Sequence, residues 1–161
     1  MRVTLIRHGE AGDDAPRDDA RSLTVRGRAA VARVGRALDR RGGDFTVLVS
    51  SPLVRAVQTA EIIAACVGYD GRVLVDDALV PEGRVSRAVA LLSALDKEDS
   101  VALVAHEPIL SALAAALLGV EKYPALRKAE ALRLRLPGAP GKGDGDIRWR
   151  IDPETGQRES V

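Results

Sequence analysis

An α/β fold, in which helices cover both faces of a mostly parallel central sheet, is predicted for this 161-residue chain by three observations. Short aliphatic runs alternate with segments of helical period. The runs lack polar alternation, as expected of strands buried on both faces. The chain has two histidines, His8 and His106, and each follows directly on such a run, where open α/β sheets keep their ligand crevices.

Val3–Ile6 is the first strand, Val47–Val49 the second, Val73–Val75 the third and Val101–Ala105 the fourth. Between them lie helical patterns. Val31, Val34 and Leu38 share a face after an N-cap at Thr24, within a segment from Val25 to Arg41 whose Arg33, Arg36 and Arg40 form a solvated face. Ala56, Ala60, Ile63 and Val67 share another, after Ser51 as cap and Pro52 as first helical residue. Val85, Val89 and Leu92 mark a third helix. The fourth starts at Pro108, runs through Leu110, Leu113 and Leu117, and stops at Gly119 as a left-handed cap. Leu132, Leu134 and Leu136, then Ile147, Trp149 and Ile151, alternate with polar residues and read as an edge hairpin with one wet face.

The resulting three-layer α/β/α sandwich is expected to be one domain over residues 1–151. Pro137–Asp146 reads as a flexible Gly/Pro connection, and residues 152–161 as a polar tail. With 2% aromatic residues, the core is built from Ala, Val, Leu and Ile. A net charge of +1 gives no general attraction to nucleic acid or membrane, so neither is expected as a partner. Cys66 stands alone and cannot form an intramolecular disulfide, which fits a buried thiol in a reducing compartment. No apolar stretch is long enough to span a bilayer and no signal-peptide core follows Met1, so a cytoplasmic location is expected.

Three segments carry chemistry. Arg7-His8-Gly9-Glu10 combines a permanent bidentate cation, an imidazole and a glycine that admits close backbone approach, which together suit a phosphate site. Ser51-Pro52-Leu53-Val54-Arg55 runs from strand to helix and places Arg55 over an N-terminus that favours anions. His106-Glu107-Pro108 repeats that layout, and backbone N–H groups around Glu107 add neutral donors. Two arginines and two imidazoles thereby converge on one crevice.

Arg7-His8-Gly9-Glu10, the Leu23-Thr24-x-x-Gly27 turn, Ser50-Ser51-Pro52-x-x-Arg55-Ala56-x-Gln58-Thr59-Ala60 and His106-x-Pro108 together resemble the histidine phosphatase superfamily, also called phosphoglycerate-mutase-like. The Arg21-x-Leu23-Thr24 context and the small size are most similar to its SixA-type phosphohistidine phosphatases. The resemblance implies that His8 attacks phosphorus and becomes phosphorylated, while Arg7, Arg55 and His106 hold the phosphoryl oxygens. Physical chemistry agrees: imidazole, with an ordinary pKa of ~6.5, is both a nucleophile and a leaving group near neutral pH, and guanidinium forks match phosphate. His106 would assist best protonated, and a bound dianion would raise its pKa. Arg21 and Glu107 are further candidate substrate contacts.

Glu82, in Leu79-Val80-Pro81-Glu82-Gly83, falls where ester-hydrolysing members of the family carry a general acid. Two readings of it stand: a proton donor, or an exposed turn glutamate. A phosphate ester needs that donor, whereas phosphohistidine releases imidazole, an easier leaving group. The loop from Asp13 to Arg21 is likewise either a lid or a solvated loop.

The chain has no Gly-x-Gly-x-x-Gly fingerprint, phosphate-cradling Gly-Lys-Ser/Thr loop or His-Glu-x-x-His helix. No cofactor and no metal is expected, because the arginines take the metal's place. The expected activity is hydrolysis of protein phosphohistidine or a small phosphomonoester, so the partner is a phosphorylated protein or small phosphorylated molecule. A broad phosphate ester phosphatase and a non-catalytic phosphate-binding module are the alternatives, and no motif speaks to oligomeric state.

Overall fold

The computed structural model describes residues 1–40 and 43–160. Seven strands form one sheet in the order β3-β2-β4-β1-β5-β6-β7. These are β1 (Arg2–Arg7), β2 (Val47–Ser50), β3 (Val73–Val75), β4 (Ser100–Ala105), β5 (Ala131–Arg135), β6 (Asp146–Ile151) and β7 (Arg158–Glu159). β3, β2, β4 and β1 are parallel, while β5, β6 and β7 extend the sheet antiparallel on the β1 side.

Four helices cover the sheet: α1 (Val25–Asp39), α2 (Val54–Val67), α3 (Val85–Ala94) and α4 (Ile109–Leu118). Strand alternation divides the core into two. Val3, Leu5, Val101 and Leu103 face Leu92, Leu110 and Leu113 of α3 and α4. Ile6, Ala102 and Val104 face Val31, Val34, Leu38 and Ile63 of α1 and α2. Both faces are thus dry, which explains why these strands read as continuous aliphatic runs.

Local signals act largely as read. Thr24 caps α1 by accepting from Gly27 N, and Gly119 ends α4 at φ 68°. Other expectations are corrected. α2 begins at Val54 with Leu53 as its N-cap, two residues later than expected, and Ser51 Oγ accepts from Leu53 N ahead of the helix; Pro108 precedes α4 rather than opening it. Arg41, at the end of the expected first helix, lies outside the described residues. Arg36 and Arg40 are exposed as expected, but Arg33 donates to the Pro153 carbonyl at 2.7 Å and pins the chain's end to α1.

The hairpin also differs in detail. β5 lies between β1 and β6, so its arginine at 133 is buried instead of wet, and β7 is the outermost strand. The Gly/Pro connection is docked on α4, with Gly145 N donating to Leu117 O at 3.0 Å and no room for a Cβ at Gly119 beside Gly143. The polar tail folds back through an Asp152 turn into β7. Val161 lies outside the described residues. Cys66 is half-buried at the α1–α2 contact, where Gly35 leaves space for its sulfur. Among the described residues no helix is long and apolar enough to cross a membrane.

Candidate active site

β1 and β4 run parallel with Arg7 opposite Ala105, so the residues that follow, His8 and His106, emerge side by side. The chain leaves β1 toward α1 on one face of the sheet and leaves β4 toward α4 on the other, opening a crevice between them. A cavity of about 270 Å³ lies there, and Arg7, His8, Arg21, Arg55, Glu82, His106 and Glu107 all line it. Every site residue anticipated from the sequence is therefore brought to one place.

His8 is 7% exposed, and its Nδ1 lies 2.6 Å from the Gly9 carbonyl. A carbonyl accepts, so Nδ1 carries the proton and the Nε2 lone pair is left free. Burial, with Arg55, Arg7 and Lys128 nearby, lowers the His8 pKa to about 4 against the partial opposition of the Gly9 bond. The ring is neutral at pH 7.

The loop after β1 is fixed by close packing. Gly9 N donates to Thr59 Oγ1 at 3.1 Å, and a Cβ on Gly9 would come within 2.7 Å of Val31. A Cβ on Gly27 would fall 2.1 Å from the Glu10 carbonyl. The first turn of α1 thus presses its backbone onto this loop, with Thr24 Oγ1 donating to Glu10 Oε1 at 2.9 Å. Gln58 completes the clamp by accepting from Leu23 N at 2.8 Å.

Around His8 stand donors without acceptors. Arg7 Nε, Arg55 Nε and His106 Nδ1 are buried and have no hydrogen-bond partner. Such groups are costly unless an acceptor satisfies them. Arg7 is aimed by one bond to the Leu126 carbonyl at 2.7 Å, and Arg55 by bonds to the Asp18 carbonyl and carboxylate at 2.8 and 3.2 Å.

His106 is 2% exposed, and its Nε2 lies 2.7 Å from Ser51 Oγ. Ser51 Oγ accepts from Leu53 N at 3.3 Å, and His106 is the acceptor within reach of its own proton. The hydroxyl therefore donates to Nε2, which leaves the ring's proton on Nδ1. Burial, His8, Arg55 and Arg7 together lower the pKa of His106 to about 3, with Asp18 opposing. Without an anion His106 is a neutral donor rather than the cation that would assist best.

The three remaining candidates line the cavity in different ways. Arg21 donates from Nε to Asp18 and from Nη1 to Asp13, at 3.0 and 3.2 Å. Glu107 turns its carboxylate to structure: it accepts from Ser111 and from Leu126 N at 2.9 Å, and Leu126 in turn holds Arg7. Glu82 is exposed on a turn closed by Gly83, whose missing Cβ leaves 2.5 Å to the Ala78 carbonyl.

Sequence reading missed Asp18, Ser51 as a partner of His106, and Lys128. Lys128 belongs to a segment without a motif, but it lines the cavity. Its neighbour Ala129 is buried in a left-handed conformation, φ 66°, and its N–H donates to the carbonyls of both Arg7 and His8. A non-glycine residue held there is uncommon and signals local constraint.

Residues 3–80 match the Histidine phosphatase superfamily (branch 1). Phosphohistidine phosphatase SixA of Escherichia coli (strain K12) is 30% identical over 155 residues, 95% of this chain and 94% of its own length. The chain belongs to the histidine phosphatase superfamily. Among structures, the protein histidine phosphatase SixA complexed with tungstate superposes with a TM-score of 0.87 at 29% identity, over 95% of this chain and 97% of that one. An uncharacterized protein of Picosynechococcus sp. is 34% identical over 122 residues, 73% of each chain. This histidine phosphatase thus matches the SixA proteins over nearly its whole length, beyond the segment that carries the superfamily signature.

Proposed function

We propose that the protein is a phosphatase that hydrolyses phosphohistidine on proteins, or a small phosphomonoester, through a phosphohistidine intermediate on His8. The observation that carries this reading is the pairing of a free Nε2 lone pair on His8 with three buried unsatisfied donors, on Arg7, Arg55 and His106. Kinship with a SixA protein whose structure holds tungstate, a tetrahedral oxyanion, supports it.

In the first step Nε2 of His8 attacks phosphorus, the bond to the leaving group breaks, and the leaving group departs with its electron pair. Arg7, Arg55 and His106 Nδ1–H stabilise the charge on the equatorial oxygens. In the second step water attacks the phosphorus carried by His8, and the P–Nε2 bond breaks with its electron pair returning to Nε2. Inorganic phosphate leaves, the water's proton passes to solvent, and His8 returns neutral. A bound dianion opposes the burial that keeps His106 neutral and raises its pKa, so its help grows once substrate is present.

Two features favour phosphohistidine. The cavity of about 270 Å³ is just below the ~300–1,000 Å³ of small-molecule sites and suits the tip of a side chain. Glu82 has no bond that fixes it as an acid, and a phosphohistidine ring that carries a proton on its other nitrogen leaves as neutral imidazole without one. The second reading, a small ester with Glu82 as proton donor, rests on the place of Glu82 in the cavity wall. Steady-state turnover of a phosphohistidine peptide against a panel of alkyl phosphates decides between them. Faster peptide turnover supports the first reading; a preference for the esters supports the second.

A further inference from the structure

At the other end of β1, about 17 Å from Arg7 at ~3.3 Å per strand residue, a second cavity of about 600 Å³ opens. It shares no lining residue with the cavity around His8. Its wall is made by Arg2, Arg133, Arg135, Arg148 and Arg158 around Trp149, and Asp99 is the one carboxylate among the described residues that line it.

The sheet brings these arginines together. Arg2 and Arg135 are directly opposite in the antiparallel β1–β5 pair, and Arg133 follows two positions along on the same face. The β5–β6 register slips after Arg133: Leu134 faces Ile147 and Arg133 faces Trp149, so Arg148 is an extra residue without an opposite number. Regular alternation would send Arg148 and Trp149 to opposite faces, but at this bulge both line the cavity.

The arrangement opposes folding stability, since like charges directly across a sheet repel. Asp44 offsets part of it, lying 2.6 Å from Arg2 and 3.8 Å from Arg133. Arg135 and Arg148 form no ion pair with any described residue, although Asp146 is opposite Arg135 in register. Arg133, 3% exposed, is held rigid as the floor by Ser100 Oγ at 3.2 Å and by the Trp149 and Phe45 rings. Arg158 lies over Trp149, 5.5 Å from its centre.

We propose that this cavity is a second ligand site, which takes a small oligophosphate. Its volume falls within the small-molecule range of ~300–1,000 Å³, and several guanidinium forks converge on a concave space, as bidentate phosphate recognition needs. The lining sets five arginines against one carboxylate, whereas the whole chain carries a net charge of +1, so the pocket holds a local excess of positive charge.

Calorimetric titration with inorganic triphosphate, at about 0.15 M salt to suppress unspecific attraction, tests the site. The expected result is one-to-one binding that survives Arg55→Ala, which damages the catalytic cavity. Binding should weaken roughly tenfold or more in Arg135→Ala/Arg148→Ala, from loss of charge-assisted bonds, while that double variant keeps wild-type turnover. No binding, equal binding in the double variant, or loss of binding in Arg55→Ala would overturn the proposal. Tighter binding of a DNA duplex through the same arginines would overturn it too, by making nucleic acid the occupant.

Discussion

The rings of His8 and His106 lie 4.9 Å apart, centre to centre, and are tilted by 52°. His8 lowers the tendency of His106 to take a proton, in addition to what burial does, and the two are the chain's whole complement of histidine. Imidazole NMR of the free protein should therefore show two ring systems that stay neutral from pH 8 to pH 5, with midpoints near 4 and 3 instead of 6.5. Saturation with tungstate should move the His106 midpoint upward. Ordinary midpoints near 6.5 in the free protein would contradict the burial and tautomers assigned to both rings.

The same shifts link stability to acid. Above pH 6.5 the folded and unfolded chains both hold neutral imidazoles, and pH changes nothing through them. Between 6.5 and about 4 the unfolded chain binds protons that folded His8 and His106 refuse, so stability falls as acid is added. For His8 alone the loss by pH 4 is of order 3 kcal/mol. Urea midpoints of wild type and His8→Ala between pH 7 and pH 4 measure it, and the variant should lose less.

Ser51 is a positioning residue, since it acts through His106. Ser51→Ala removes the donor to Nε2 and frees the ring's proton to move from Nδ1. Turnover should fall about tenfold and Tm by a few degrees, because buried His106 Nε2 and Leu53 N lose their shared partner. Nitrogen chemical shifts of His106 should report the changed tautomer. An unchanged tautomer would remove Ser51 from this role.

Gly27 and Gly68 separate two reasons for a glycine. At Gly27 a Cβ meets the Glu10 carbonyl at 2.1 Å, so Gly27→Ala should destabilise by roughly 3 kcal/mol and lower Tm by about 10 °C. At Gly68 nothing lies within 4 Å and only φ of 64° resists a side chain. Gly68→Ala should lose about 1 kcal/mol. Equal thermal shifts in the two variants would show that the clamp on the loop after β1 is looser than its geometry.

Glu82→Gln reports leaving-group chemistry. If Glu82 protonates an alkoxide, alkyl phosphate hydrolysis should drop about a hundredfold while phosphohistidine hydrolysis changes little. Equal losses on both substrates would refute the distinction.

Much of the catalytic edge was legible because strand ends and helix starts are written locally. A run such as Val101–Ala105 followed by a polar residue and a proline marks a strand end wherever it occurs, and Thr24 and Gly119 act within one turn of themselves. What escaped depends on juxtaposition over long separations. Asp18 reaches Arg55 across 37 positions and Ser51 reaches His106 across 55, and neither pairing leaves a periodic trace. Arg133 misled for another reason: alternation with leucines reads as a wet face, yet ring stacking on Trp149 and Phe45 allows its guanidinium to be buried.

Rapid quench of the enzyme with a phosphate-labelled substrate, followed by peptide mapping, bears most directly on whether His8 is the nucleophile. Label that is acid-labile and alkali-stable should appear on the peptide carrying His8 in wild type and be absent in His8→Ala, which should also lose turnover. Label on the His106 peptide, or wild-type turnover in His8→Ala, would contradict a phosphohistidine intermediate at the end of β1.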